Sequence, residues 1–558
     1  MPARRRGSMR ASVPLLWLLA AGLTACSGSS GPATTGGSSS SSSGGTGSAP
    51  QPTQRTDVVT YKNDLGRTGQ NLTESVLTLA NVNAASFGQQ HLLAADGKVD
   101  AQPLYLSGLT VQGAVHNVVY LATEADSVYA YDADSGALLW HVSLLLPGES
   151  VNDLPPYACD QVTPTIGITA TPVIDRNAGA HGTIFVVAMS VATASATYHQ
   201  RLHALDVTSG AELANSPVDI TATFPMQGSV TTFEPAQYEE RAALLLSQGT
   251  LYTSWTSHCD VAPYTGWIIA FSESTLSRTA VLNVAPNSGG TGPSIWMSGG
   301  GPAADAAGNV YLLTANGVFE TTLDTQGFPN GGDYGNSFLK LTLAGASLVV
   351  SDYFTMYNEL SESAADVDLG SGGILLLPDQ SDAGGSVRHL AIGAGKDGNL
   401  YVVNRDSMGR FTAGTNNIWQ QLSGVLGAGI WSSPAYFNGT VYYGPVNGPL
   451  SAFALHAALL GAAPTAASPG SFTYPGTSPV VSASGTSNAI VWAHENSDPA
   501  VLHAYDAGNL AHELYNSSQA ANGRDQFGPG NKFITPAVAD GKVFVGTQSG
   551  VAVFGLLN

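Results

Sequence analysis

Lys396 stands in GAGKDGNLYVVNRDSMG, residues 393–409, which reads as two short strands joined by an Asp-Gly turn. In a chain with only 11% charged residues, an ammonium at the mouth of that turn is either an ordinary turn residue or part of a cofactor site. The preceding Gly-Ala-Gly would let a ligand and the backbone approach closely. His258 and Asp260, in SHCDVAPYTGWIIAF, could share a soft metal, but no third ligand is defined, and a hydrogen-bonded turn supporting Cys259 is the simpler reading. Asn316, in LLTANGVF, and Asp368, in DVDLGSGGILLLPD, read locally as a turn Asn before Gly and as a carboxylate in an Asx turn or cap. Other chemistries lack their motifs. The Gly-rich runs NSGGTG and GSGG have no phosphate-loop lysine, and neither a Gly-x-Ser-x-Gly elbow, paired zinc-ligand histidines nor Cys-x-x-Cys-His occurs.

These residues need a scaffold, and composition suggests its class. The 558 residues include 65 glycines, with Val, Thr, Ser and Tyr plentiful, which favours many short strands and tight turns. The net charge of −20, with no basic run beyond the first ten residues, argues against a nucleic-acid partner. MPARRRGSMR followed by ASVPLLWLLAAGL forms a cationic start and an apolar core too short to span a bilayer. It ends in LTAC, which resembles the lipobox of bacterial lipoproteins. That likeness implies a signal peptide over 1–25, lipidation of Cys26, and a place in the bacterial cell envelope. Ser27 after the cysteine is compatible with outer-membrane sorting; otherwise the anchored body faces the periplasm. Residues 26–53, rich in Ser and Gly, read as a tether with a reach of about 30 Å. Cys159 and Cys259 would then share an oxidising compartment. They form one disulfide closing a loop of about 100 residues, or remain two buried thiols.

From residue 54 to 558 the chain repeats. A small residue or Thr, then Pro, then an apolar strand recurs at Pro103, Pro172, Pro302, Pro434, Pro479 and Pro536, with proline-free members in RAALLLSQGTLYTSW and GSGGILLLPDQ. A second phrase, as in VYAYDADSGALLW and LHALDVTSGAEL, places Asp before a turn whose Gly136, Gly210 or Gly409 supplies positive φ. Eight units of four short strands predict an all-β, eight-bladed β-propeller. The C-terminus supplies only three strands, so FGQQHLLAAD near the N-terminus is expected to provide the fourth, as an N-to-C clasp. A monomer is expected. Trp140, Trp255, Trp267, Trp296, Trp431 and Trp492 are read as packing between blades.

YAYDADSGALLW resembles the pyrroloquinoline-quinone (PQQ) repeat of quinoprotein alcohol dehydrogenases, a repeat shared with non-catalytic propellers such as the lipoprotein of the outer-membrane β-barrel assembly machinery. GITATPVID, GGGPAADAAGNVYLLTANG and GKDGNLYVVNRDSMG are similar to secreted bacterial proteins of the same type. The resemblance implies PQQ and Ca²⁺ at the centre of one face. It puts Asn316 at a calcium-ligating amide, Asp368 at the catalytic carboxylate that also ligates the metal, and Lys396 at the quinone-facing cation. Asp260, after a one-residue shift from Val261, falls near the calcium-binding glutamate, and Glu124 falls beside the cofactor. The chain also departs from the family. It has no adjacent cysteine pair, and Gly299 stands where the family has its tryptophan floor, with Trp296 three residues early.

Three functions remain open at this level. The first is a tethered, non-catalytic propeller that binds an envelope protein, a glycan or a small ligand. The second is a divergent PQQ- and Ca²⁺-dependent periplasmic alcohol or sugar dehydrogenase using Asp368 and Lys396. The third is a carbohydrate-active propeller.

Overall fold

The computed structural model describes residues 56–151 and 161–557. Cys26, Cys159 and the expected signal peptide and tether lie outside them.

Eight four-stranded antiparallel blades form the body, an eight-bladed β-propeller. Their first strands begin at Leu104, Val173, Leu245, Ala303, Leu375, Ala435, Val480 and Ala537. Six of the eight follow a repeat proline directly, and the two proline-free phrases supply the others. The first blade is typical: Leu104–Val111, Ala114–Ala122, Ser127–Asp132 and Leu138–Ser143 pair in chain order. Asp132 starts the turn between its last two strands by accepting the backbone N–H groups of Asp134 and Ser135, and Gly136 completes it at φ 72°.

Neighbouring blades pack face to face. One apolar cluster joins Tyr105, Val119 and Tyr129 of the first blade to Ala537, Phe544 and Val551 of the last. The turn phrase also serves this packing. Trp140 lies against Gly210 of the second blade, where an added Cβ would stand 2.6 Å from the indole. Its Nε1–H donates to the carbonyl of Val207 at 3.1 Å.

The ring closes through the expected clasp. Phe87–Ala94 pairs antiparallel with Gly550–Leu556, giving the final blade its outer strand. Phe87 is fully buried against Trp492 and Tyr515, with ring centroids 5.4 and 5.0 Å away.

A second device has no counterpart in the repeat pattern. Residues 58–71 contact the inner edge of all eight blades in turn. Val58 exchanges hydrogen bonds with Tyr105, the carbonyl of Val59 accepts from Ile174, and Arg67 donates to the carbonyl of Leu244. The carbonyls of Leu65, Gly66, Thr68 and Gly69 accept from Ala304, Leu376, Tyr436 and Val481. Asn71 donates to the carbonyl of Val538. The segment therefore fills the axis of the ring. Its two cations are fully buried and satisfied by oxygens: Lys62 by the carbonyls of Ser433 and Pro479, Arg67 by Thr60, Tyr61, Leu244 and Pro302. Burial pushes the Lys62 ammonium well below the ordinary lysine range and the Arg67 guanidinium down to about 10.

Candidate ligand site at the centre of one face

The segments that lead into the inner strands converge on the axis above this plug and enclose a cavity of about 310 Å³. Its walls come from the connections into all eight blades, with Gln161 and Val162 ahead of the second and Arg241 ahead of the third. Lys98 and Asp100 precede the first blade, Trp296 the fourth, Asp366 and Asp368 the fifth, Trp431 the sixth, Tyr474 the seventh, and Lys532 with Phe533 the eighth. Asp260, Asn316 and Lys396 also line it.

On one side four groups interlock. Lys396 Nζ lies 2.7 Å from Asp368 Oδ2 and 2.8 Å from Asp366 Oδ1. Asp368 Oδ1 accepts the backbone N–H of Asn316 at 2.7 Å, and the Asn316 side-chain amide donates to Asp366 Oδ1 at 2.9 Å. Asp368 immediately precedes a short 3₁₀ turn, Leu369–Ser371. Gly395 allows its backbone to come close, since a Cβ there would stand 2.1 Å from the Asp368 carbonyl. Gly393 is needed for the Phe338 ring, 2.8 Å from where its Cβ would be. These two glycines make room for protein, not for a ligand. Burial pushes the Asp368 carboxyl up despite the lysine beside it. For Lys396 burial acts the other way, but Asp368 and Asp366 outweigh it and hold the ammonium above its ordinary range.

The remaining expected residues divide. Asp260 lines the cavity, close enough for Lys396 and Asp366 to act on its charge, whereas Val261 is not among the lining residues. Cys259 beside it is disulfide-bonded; the expected partner, Cys159, lies outside the described residues. Glu124 does not reach the cavity. It is fully buried one layer behind, where Oε2 accepts from the Gly167 backbone at 2.8 Å and from Thr169 at 3.0 Å. Burial and the neighbouring Asp100 charge push its carboxyl well up. Asp100 is the group presented at the wall, paired with Lys98 at 3.0 Å.

From beside Lys396, where Trp431 and the Lys396 carbonyl both lie close to Gly429, the wall becomes aromatic and then cationic. Trp431, Tyr474, Phe533 and Trp296 form a chain of edge-on contacts, with successive centroids 5.8, 6.1 and 5.9 Å apart. Trp296 and Trp431 therefore face the cavity instead of packing between blades; Trp255, Trp267 and Trp492 are the fully buried packing residues. Gly299, at φ 87°, holds a guanidinium where the indole floor was expected: a Cβ on it would stand 2.5 Å from Arg241 Nη1. Arg241 and Lys532 lie 5.5 and 5.7 Å from the Phe533 centroid.

The sequence reading missed Arg241, Lys532, Phe533, Tyr474 and Asp366. A positional signal was present: Phe533 and Trp431 stand three residues, Lys98 and Tyr474 five, before a repeat proline. The segment just ahead of each inner strand faces the axis.

The residues do not fit calcium and a stacked quinone as they are arranged. The Asp366 and Asp368 carboxylates already hold an ammonium, and Asn316 turns its amide nitrogen toward Asp366. Among the described residues no group of three or more His, Cys, Asp or Glu side chains is placed to hold a metal ion. A guanidinium lies against the floor position, where a stacked quinone would need an indole.

No family model matches the chain, and no curated protein does. Solved structures do. The quinohemoprotein alcohol dehydrogenase of Comamonas testosteroni aligns over 90% of this chain and 80% of its own at 14% identity and a TM-score of 0.54. The quinohemoprotein alcohol dehydrogenase ADHIIG of Pseudomonas putida HK5 aligns over the same shares at 13% identity and a TM-score of 0.57. A europium-containing methanol dehydrogenase aligns over 90% of this chain and 98% of its own, at 14% and 0.51. The class is thus an eight-bladed propeller with the fold of the quinoprotein alcohol dehydrogenases. At these identities the likeness establishes the fold, and the site must speak for itself.

Proposed function

We propose that this chain is a lipid-anchored propeller of the bacterial cell envelope that binds a ligand in its central cavity without quinone-dependent oxidation. The observation carrying this reading is Lys396 between Asp366 and Asp368, 2.8 and 2.7 Å away. Carboxylates that would hold a divalent ion are neutralised from within the chain. Guanidinium packing at Gly299 supports it further, since a planar cofactor loses affinity when its stacking faces are absent. The lipobox-like LTAC at Leu23–Cys26 and the Ser/Gly tether support anchoring. The Cys26→Ser variant is expected to move from the membrane to the soluble fraction; retention in the membrane would contradict the anchor.

The dehydrogenase reading keeps one observation in its favour. Asn316, Asp368, Lys396 and Asp260 all line one cavity, as the resemblance implies. The test is dye-linked turnover by the purified full chain with PQQ, Ca²⁺ and a panel of alcohols and sugars. No turnover above the protein-free rate is expected. Turnover that Asp368→Asn abolishes would overturn the proposal.

A further inference from the structure

The cavity is polarised. Arg241, only 6% exposed, lines it and makes no hydrogen bond or ion pair among the described residues. A buried guanidinium without an acceptor is costly, and the Phe533 ring replaces an anion poorly. Lys532, beside it, likewise has no hydrogen-bonded or ion-paired partner among the described residues, only the same ring. The nearby carboxylates, Asp100 and Glu239, act on these cations through space but form no ion pair with either. Asp100 pairs with Lys98 at 3.0 Å, and Glu239 lies 3.5 Å from His258 Nδ1. Burial, with Lys98 and Arg241 close by, lowers the Lys532 ammonium below its ordinary range, against the opposing charges of Asp100 and Glu239.

On another part of the wall the order is reversed. Asp260, Asp366 and Asp368 are acceptors, with Lys396 and the Asn316 amide among them. Carboxylates accept hydrogen bonds and donate none, so their natural ligand partners are hydroxyl groups. Between the two sides runs the aromatic chain from Trp431 to Trp296, an apolar wall for the face of a ring. About 310 Å³ is at the lower end of small-molecule sites, with room for one or two rings.

From this arrangement we infer that the cavity binds a sugar acid, a hydroxylated ring bearing a carboxylate. The carboxylate sits on Arg241 and Lys532, where a guanidinium offers two parallel donors. The ring lies along the aromatic wall and its hydroxyls face Asp260 and Asp366. A purely aromatic acid would satisfy the cations but offer no hydroxyl to the remaining lone pairs of Asp260 and Asp366. A neutral sugar would do the opposite. This deepens the binding reading above and rests on it.

The test is calorimetric titration of the full chain with glucuronate, galacturonate and digalacturonate, with glucose and benzoate as controls. Saturable binding of at least one uronate is expected, with glucose and benzoate weaker by about tenfold or more. Lys532→Ala and Arg241→Gln should each weaken the uronate by about tenfold or more. Lys532 is only partly buried, so its variant keeps the test valid if Arg241→Gln fails to fold. No saturable uronate binding up to about 10 mM, equal affinity for glucose or benzoate, or unchanged affinity in Lys532→Ala would overturn the inference. Such a failure without quinone-dependent turnover leaves the binding reading standing. Turnover with PQQ and Ca²⁺ removes that reading itself.

Discussion

Lys396 and Asp368 meet at 2.7 Å at the centre of one propeller face, and Asp366 takes the same ammonium from the other side at 2.8 Å. The pair comes from two different segments, the hairpin of the fifth blade and the connection leading into it. Its electrostatics are therefore also a clamp that fixes that connection.

Removing the lysine leaves a buried carboxylate without its cation. Lys396→Ala should cost about 2 kcal/mol of stability, the low side of a broken buried pair because the site opens to the cavity. Asp368→Asn should cost less, since Lys396 retains Asp366. Urea unfolding of both variants checks the order; an Asp368→Asn loss larger than the Lys396→Ala loss would contradict it.

The helix Glu359–Ala364 that precedes Asp366 gives the same region a pH dependence. Burial pushes the Glu359 carboxyl up to about 7, with Ser363 acting against the shift and Glu362 adding to it. A carboxyl whose folded value lies above its unfolded one stabilises fully below the unfolded value, near 4.5. It loses that contribution as pH rises through about 7. Stability should therefore fall between pH 5 and pH 8, by about 2 kcal/mol from this group. Glu359→Gln should flatten the slope in melting curves across that range.

The axial plug predicts a distant effect. Arg67→Met deprives Thr60, Tyr61, Leu244 and Pro302 of a donor at the centre of the ring. A loss of about 3–5 kcal/mol is expected, although no residue of the cavity changes. Chemical denaturation measures it; a near-neutral variant would show that the plug is dispensable.

The clasp predicts a cooperative failure. Phe87→Ala opens a void against Trp492 and Tyr515 and should cost about 3–5 kcal/mol. A chain starting at residue 98 should lose its single unfolding transition altogether. Retention of one sharp calorimetric transition in that truncation would contradict closure as the source of cooperativity.

Much of the ring was legible because repeats write the same strand and turn chemistry many times. Gly136 and Gly210 take positive φ in equivalent turns, and the clasp followed from a final blade one strand short. The plug was not legible, because residues 58–71 occur once and bond mainly through backbone carbonyls and amides, which carry no side-chain signature. At the site, Asn316, Asp368, Lys396 and Asp260 are legible through the likeness of their flanking segments to the quinoprotein repeat, and the structure brings them to one cavity. Glu124 was placed one layer too far forward, since sequence distance does not tell a wall residue from the one behind it. Arg241 and Lys532 escaped notice because their importance lies in what they lack, a partner, and only three dimensions show that.

The most direct measurement is a calorimetric titration of the purified full chain, in detergent, with PQQ in the presence and absence of Ca²⁺. With Lys396 already held by Asp366 and Asp368, the expected result is no calcium-dependent binding of the quinone. Saturable, calcium-dependent binding that disappears in Asn316→Ala and Lys396→Ala would contradict the account.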